Sequence, residues 1–134
     1  MIAVVGAAVF ALVFVFSSEV EGTLRLSDGS APAVEFTPTR CRSGQLSGFF
    51  GVELYAEDVP DVIVRLMRDP LQGDLVSVER GGRAPLVLKA SDCESLTLEL
   101  VRTSTTINDV RNVEGAATLA CSAARGELKF SGCH

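Results

Sequence analysis

Ser95-Leu96-Thr97-Leu98-Glu99-Leu100-Val101-Arg102-Thr103-Ser104-Thr105-Thr106 alternates Leu96, Leu98 and Leu100 with Thr97, Glu99 and Val101, then continues in β-branched residues. A period of two sends successive side chains to opposite faces of an extended chain, so the stretch reads as one long strand with a buried face. Val and Thr suit a pleated surface better than a helix.

The same alternation recurs on both sides of it. Downstream, Asn108-Asp109 and Arg111-Asn112 mark a turn, followed by strands over residues 113–121 and 126–133. Upstream, residues 86–89 and 75–79 flank a tight connection at Gly81-Gly82 with Arg83. Residues 61–67 set Val62, Val64 and Leu66 on one side, and residues 49–55 do the same with Phe50, Val52 and Leu54. Glu57-Asp58-Val59-Pro60, Asp69-Pro70 and Gly73 break these runs with turn chemistry. Residues 33–37 alternate through Val34 and Phe36, and residues 20–27 alternate Leu24 and Leu26 with Thr23 and Arg25 before Asp28-Gly29-Ser30. After residue 19 no stretch carries a 3.6-residue apolar stripe with caps. The expected fold is all-β, an antiparallel sandwich or partly open barrel of about 7–9 strands, formed by residues 19–134 as a single disulfide-bonded domain and preceded by an N-terminal hydrophobic helix.

A chain of 134 residues has room for one such core. The net charge is −5, and the acidic residues are interleaved with Arg along the chain. Nucleic-acid binding, which needs a basic footprint against phosphate, is therefore not expected. The chain also lacks a polybasic lipid-binding patch.

Residues 1–16, MIAVVGAAVFALVFVF, hold no charged or hydrogen-bonding side chain. As a helix they reach about 24 Å, short of a bilayer core of roughly 30 Å. Residues 1–18 thus read as a signal peptide, with Val15 and Ser17 as the small residues before cleavage, or as a retained membrane anchor. No basic residue opens the run, which keeps the anchor reading beside the cleaved one. Either way the chain is expected to be exported: periplasmic, membrane-anchored through residues 1–17, or extracellular.

Four cysteines, Cys41, Cys93, Cys121 and Cys133, agree with an oxidising compartment. Their spacing lacks the close pairs of structural zinc sites, so disulfides are expected instead of a metal site. Three pairings are possible. Local geometry favours Cys121 with Cys133, as the two arms of a terminal hairpin, leaving Cys41 with Cys93.

Catalytic chemistry finds little footing. The one histidine, His134, is the last residue of the sequence, a poor place to hold a general base. Glu53, Glu57, Asp58 and Asp61 cluster in sequence, yet they lack the spacing of a Ca²⁺ loop and suit a solvated turn. Gly44, Gly48 and Gly51 precede a strand with no Lys-Ser/Thr after them, so they fit turns and close backbone approach better than a phosphate loop. No catalytic residue, metal or cofactor is expected. The residues suited to an interaction patch are Arg40, Arg42, Arg80 and Arg83 with Phe49 and Tyr55, because Arg and aromatic side chains favour interfaces.

The C-terminal half, from Leu96-Thr97-Leu98 through Thr105-Thr106-Ile107-Asn108-Asp109-Val110 to Gly126-Glu127-Leu128-Lys129-Phe130-Ser131-Gly132-Cys133-His134, resembles a group of uncharacterised bacterial envelope proteins that end in a Gly, aromatic, Cys-His signature. Cys41-Arg42-Ser43-Gly44 with Phe49-Phe50-Gly51-Val52 is similar to their N-terminal half. Such proteins are commonly lipid-anchored, and this chain departs from them in having no cysteine after its apolar segment. The resemblance implies envelope localisation and a compact β domain, and it brings no activity. The expected function is an exported envelope module, binding or structural, that meets a protein or glycan. The alternative is an exported enzyme or ligand carrier with a carboxylate-lined or apolar site between sheets.

Overall fold

The computed structural model describes residues 18–27 and 32–134. The expected N-terminal helix and the signal or anchor segment fall on residues 1–17, outside the described residues. Among the described residues no helix is long and apolar enough to cross a membrane.

Ten strands form two antiparallel five-stranded sheets: β1 (Glu19–Leu26), β2 (Val34–Phe36), β3 (Arg40–Ser43), β4 (Phe50–Tyr55), β5 (Val62–Asp69), β6 (Gly73–Arg80), β7 (Leu86–Lys89), β8 (Cys93–Ile107), β9 (Val110–Cys121) and β10 (Ala124–Cys133). The first sheet has the order β2-β1-β10-β9-β8, and the second is the meander β3-β4-β5-β6-β7. The first is built from both ends of the described chain, with Glu19 opposite Ser131 and Leu26 opposite Ala124. The sheets do not close into a barrel. They face each other as a sandwich, with β3 packed on β1, β9 and β10, and with β8 against β6 and β7.

The core follows from the alternation. Leu24, Leu26, Phe36 and Leu128 of the first sheet meet Val52, Leu54, Val64, Leu66 and Val76 of the second, all fully or almost fully buried. Nine of the ten strands lie where the apolar alternation placed them. The tenth, β3, escaped because its outward residues are Arg40 and Arg42, and its inward ones are Cys41 and Ser43, which carry little apolar signal.

The cysteine pairing corrects the expectation. Cys41 is bonded to Cys133 across the two sheets, with Cα atoms 5.1 Å apart, and Cys93 to Cys121 within the first sheet, at 4.1 Å. The terminal hairpin turns tightly at Ser122-Ala123, so its arms are long. Cys121 lies at the turn, while Cys133, opposite Val113, lies at the far end, about 30 Å away at strand spacing. Cys93 instead stands directly opposite Cys121 on the neighbouring strand.

The β8–β9 ribbon outruns the rest of its sheet. Pairing of β9 with β10 ends at Cys133 and Val113, yet β8 and β9 continue to Ile107 and Val110. Asn108 and Asp109 close the ribbon with φ of 51° and 65°, the left-handed pair that a two-residue turn of this twist requires. The projecting ribbon forms one wall of the cleft at the end of the sandwich.

Candidate functional site

The cleft has a volume of about 630 Å³ and lies between the base of the ribbon, the Gly44–Ser47 turn and the β5–β6 connection. The turn is fixed locally. Ser43 Oγ accepts from Gln45 N at 3.2 Å, and Gly48 ends the turn at φ 83°. Gly44 lies so close to the Phe49 ring that a Cβ there would collide with it. Gln45 then ties the turn to the ribbon, donating from Nε2 to Asp109 O at 3.0 Å and accepting from Arg111 N at 3.1 Å.

Three arginines line the cleft. Arg68 continues the inward phase of Val62, Val64 and Leu66 on β5, and Arg102 continues that of Leu96, Leu98 and Leu100 on β8. Where the apolar core gives way to the mouth of the sandwich, the inward positions of both sheets therefore carry guanidinium groups. Arg68 pairs with Asp74 at 2.9 Å and donates to Leu98 O at 2.7 Å. Arg111 Nε donates to Thr103 O at 2.9 Å. Arg102 lies 4.3 Å above the Phe50 ring centroid, a cation–π stack that holds the guanidinium plane in place. Among the described residues neither Arg102 nor Arg111 has an ion pair.

The carboxylate that lines the cleft, Asp69, is engaged by its own turn. The N–H groups of Gln72 and Leu71 bond to it at 2.9 and 2.7 Å and hold its carboxyl below the usual aspartate value. Phe49, Phe50, Met67, Leu75 and Val113 supply an apolar floor. Leu46 in the Gly44–Ser47 turn and Leu71 in the β5–β6 connection are exposed, 70% and 95% accessible. An apolar surface with two uncompensated cations on a domain of net charge −5 is suited to an anionic, partly apolar group.

The interaction residues proposed from sequence do not form one patch. Arg40, Arg42 and Tyr55 come together on the outward face of the second sheet, with Arg40 Cζ 5.5 Å from the Tyr55 ring centroid. Arg80 follows the opposite phase of β6 and reaches Leu26 O at 3.3 Å in the first sheet. Together with Arg83 it lines a separate small cavity of about 190 Å³. Phe49 belongs to the cleft. The acidic cluster also disperses. Glu57 and Asp58 are exposed in the β4–β5 turn, Asp61 adjoins Gly81, and Glu53 points outward from β4. Among the described residues no three metal-capable side chains converge.

Glu53 is only 5% exposed although it faces away from the core. Its carboxylate accepts from Ser47 Oγ at 3.0 Å, Arg65 Nε at 3.0 Å and Tyr55 OH at 3.4 Å, and Arg65 also binds Glu79 at 2.6 Å. The clasp ties the Gly44–Ser47 turn to β4 and β5, and so supports the cleft wall from behind. Burial, then the Glu53 carboxylate, raises the Tyr55 pKa above its ordinary value of 10.0. Tyr55 is the one tyrosine, and the chain has no tryptophan, so phenolate absorbance reports this group alone. Its titration midpoint is expected above that of the urea-unfolded chain, and E53Q is expected to lower it without abolishing the shift. Because the unfolded chain ionises first, stability falls as pH rises from about 10 through the folded midpoint. Coincident folded and unfolded titrations would refute the clasp.

For two of the cleft arginines the sequence carries a signal: Arg68 and Arg102 each continue an apolar phase. Arg111 and Gln45 carry none, and Phe50 shares the alternation of the core residues Val52 and Leu54. No protein-family model, curated protein or solved structure matches the chain.

Proposed function

We propose that the chain is an exported binding module of the cell envelope that engages a protein or glycan partner through the cleft. The observation that carries the reading is the meeting of Arg102, stacked on Phe50, with Arg111 over an apolar floor, neither having a carboxylate partner among the described residues. Export is supported by two disulfides, which suit an oxidising compartment, by the apolar run of residues 1–16, and by the resemblance of the C-terminal signature to envelope proteins. Fixed donors over an apolar surface suit the recognition and holding of an anionic group.

The test is an amide-shift titration of the oxidised protein with four probes: an acidic peptide, a uronic-acid oligosaccharide, inorganic phosphate and a neutral oligosaccharide. Anionic probes are expected to move the amides of Phe49, Phe50, Arg102 and Arg111, and R102E is expected to weaken this binding at least tenfold, as loss of a charge-assisted contact does. The reading fails if no anionic probe moves those amides, or if the shifts gather elsewhere.

A further inference from the structure

The long strand β8 pairs with β9 on one side only, and two contacts show which of its main-chain groups face the open side. A Cβ on Gly115 would collide with the Glu99 carbonyl oxygen, so Glu99 directs its C=O at β9. Main-chain directions alternate along a strand, so Leu98, Leu100 and Arg102 direct theirs away from β9. Arg68 reaches Leu98 O from that outer side at 2.7 Å. β6 and β7 lie against β8, and Arg68 occupies the carbonyl at Leu98. Beyond it the edge at Leu100 and Arg102 runs into the cleft, which both Arg68 and Arg102 line.

We infer that the occupant of the cleft is an extended peptide segment bearing carboxylates, added to β8 as a sixth strand of the first sheet. Its main chain bonds Leu100 and Arg102, and an acidic side chain or terminal carboxylate rests against Arg102 and Arg111. This rests on the reading of the cleft as the binding site and names its partner class. Alternating donors and acceptors two residues apart, about 6.8 Å, match the repeat of another strand, and a phosphate or lipid headgroup offers nothing to that repeat. Charge selects the same partner. The outward face beside β8 presents Glu19, Glu21, Glu99 and Glu114 around Lys129, so an acidic segment is repelled there and drawn into the cleft. The carboxylates of the added strand share the inward face with Arg102 and Arg111, and its alternate, apolar side chains fall on the opposite face beside Val101, which is 53% exposed.

The experiment measures binding of the oxidised full chain to a fluorescent peptide of alternating valine and glutamate. It is compared with the same peptide N-methylated at alternate backbone nitrogens on its strand-facing edge, and with a valine and glutamine version. N-methylation is expected to weaken binding about tenfold, as loss of about two net main-chain hydrogen bonds does, and the glutamine version by at least as much. R102E is expected to lose the acidic peptide while its amide spectrum outside the cleft stays unchanged; R102K, which keeps charge but loses the planar stack, is expected to fall between. If the N-methylated peptide binds equally well, strand addition is wrong and the cleft reading survives. If phosphate or the uronic-acid probe moves the cleft amides and neither acidic peptide binds, the peptide partner is wrong and the anion site stands. If no anionic probe reaches the cleft, both readings fall together.

Discussion

Replacing Cys41 and Cys133 together by alanine lowers the unfolding free energy by about 4–5 kcal/mol, read as a fall in the urea midpoint of the oxidised protein. The bridge spans 92 positions and joins β3 of one sheet to β10 of the other, while the Cys93–Cys121 bridge spans 28 within one sheet. In the chain-entropy treatment the long loop is worth about 4.6 kcal/mol and the short one about 3.6. The difference follows from loop length alone, 28 positions against 92, because the bridge acts by restricting the unfolded chain. C93A/C121A is therefore expected to cost clearly less than C41A/C133A. Both Cys41 and Cys133 are buried, at 4% and 0% exposure, so alanine is the better replacement: serine would add an unsatisfied hydroxyl to the cost. A non-reduced digest is expected to join the Cys41 peptide to the Cys133 peptide. A Cys121–Cys133 link, or equal losses in the two double variants, would refute this architecture.

What the sequence reveals and what it hides divide along the line between local and non-local information. Period-two alternation is local, and it placed β1, β2 and β4 to β10 because in each the inward residues are apolar. Strand β3 alternates just as strictly, Arg40 and Arg42 outward and Cys41 and Ser43 inward, but its inward residues do not look like core until the opposite sheet is in place. The cysteine pairing failed for a related reason. It depends on hairpin register, and one tight turn at Ser122-Ala123 decides whether Cys121 and Cys133 are neighbours or lie at opposite ends. The cleft was half legible. Arg68 and Arg102 each continue an apolar phase, which is the mark of a strand leaving the core, but that the two phases end at the same mouth is a fact of how the sheets are stacked. Arg111 and Gln45 join only through a ribbon that extends past its sheet.

Phe36→Ala is expected to cost about 3–5 kcal/mol, the range for deleting a fully buried aromatic side chain. Strand β2 has three residues and pairs with β1 through Leu24 opposite Phe36 and Leu26 opposite Val34. Phe36 is fully buried beside Leu24 and Leu26, and within β2 no other residue is fully buried, so the ring is what seats the strand. Truncation leaves a cavity in the shared core and loosens β2, uncovering the outer edge of β1 as a template for pairing with other chains. The variant is therefore expected to show both a lower urea midpoint and association that grows with protein concentration, whereas Phe36→Leu, which keeps most of the volume, is expected to cost less than about 1.5 kcal/mol and stay monodisperse. The contrast separates two mechanisms. If Phe36→Ala loses stability without associating, β2 stays in place by its main-chain bonds and by the 2.9 Å contact between the Thr23 and Thr37 hydroxyls, and the ring matters for core volume alone. If Phe36→Ala costs less than about 1 kcal/mol, the site collapses without a cavity, and Phe36 is not the residue that fastens this edge of the sandwich.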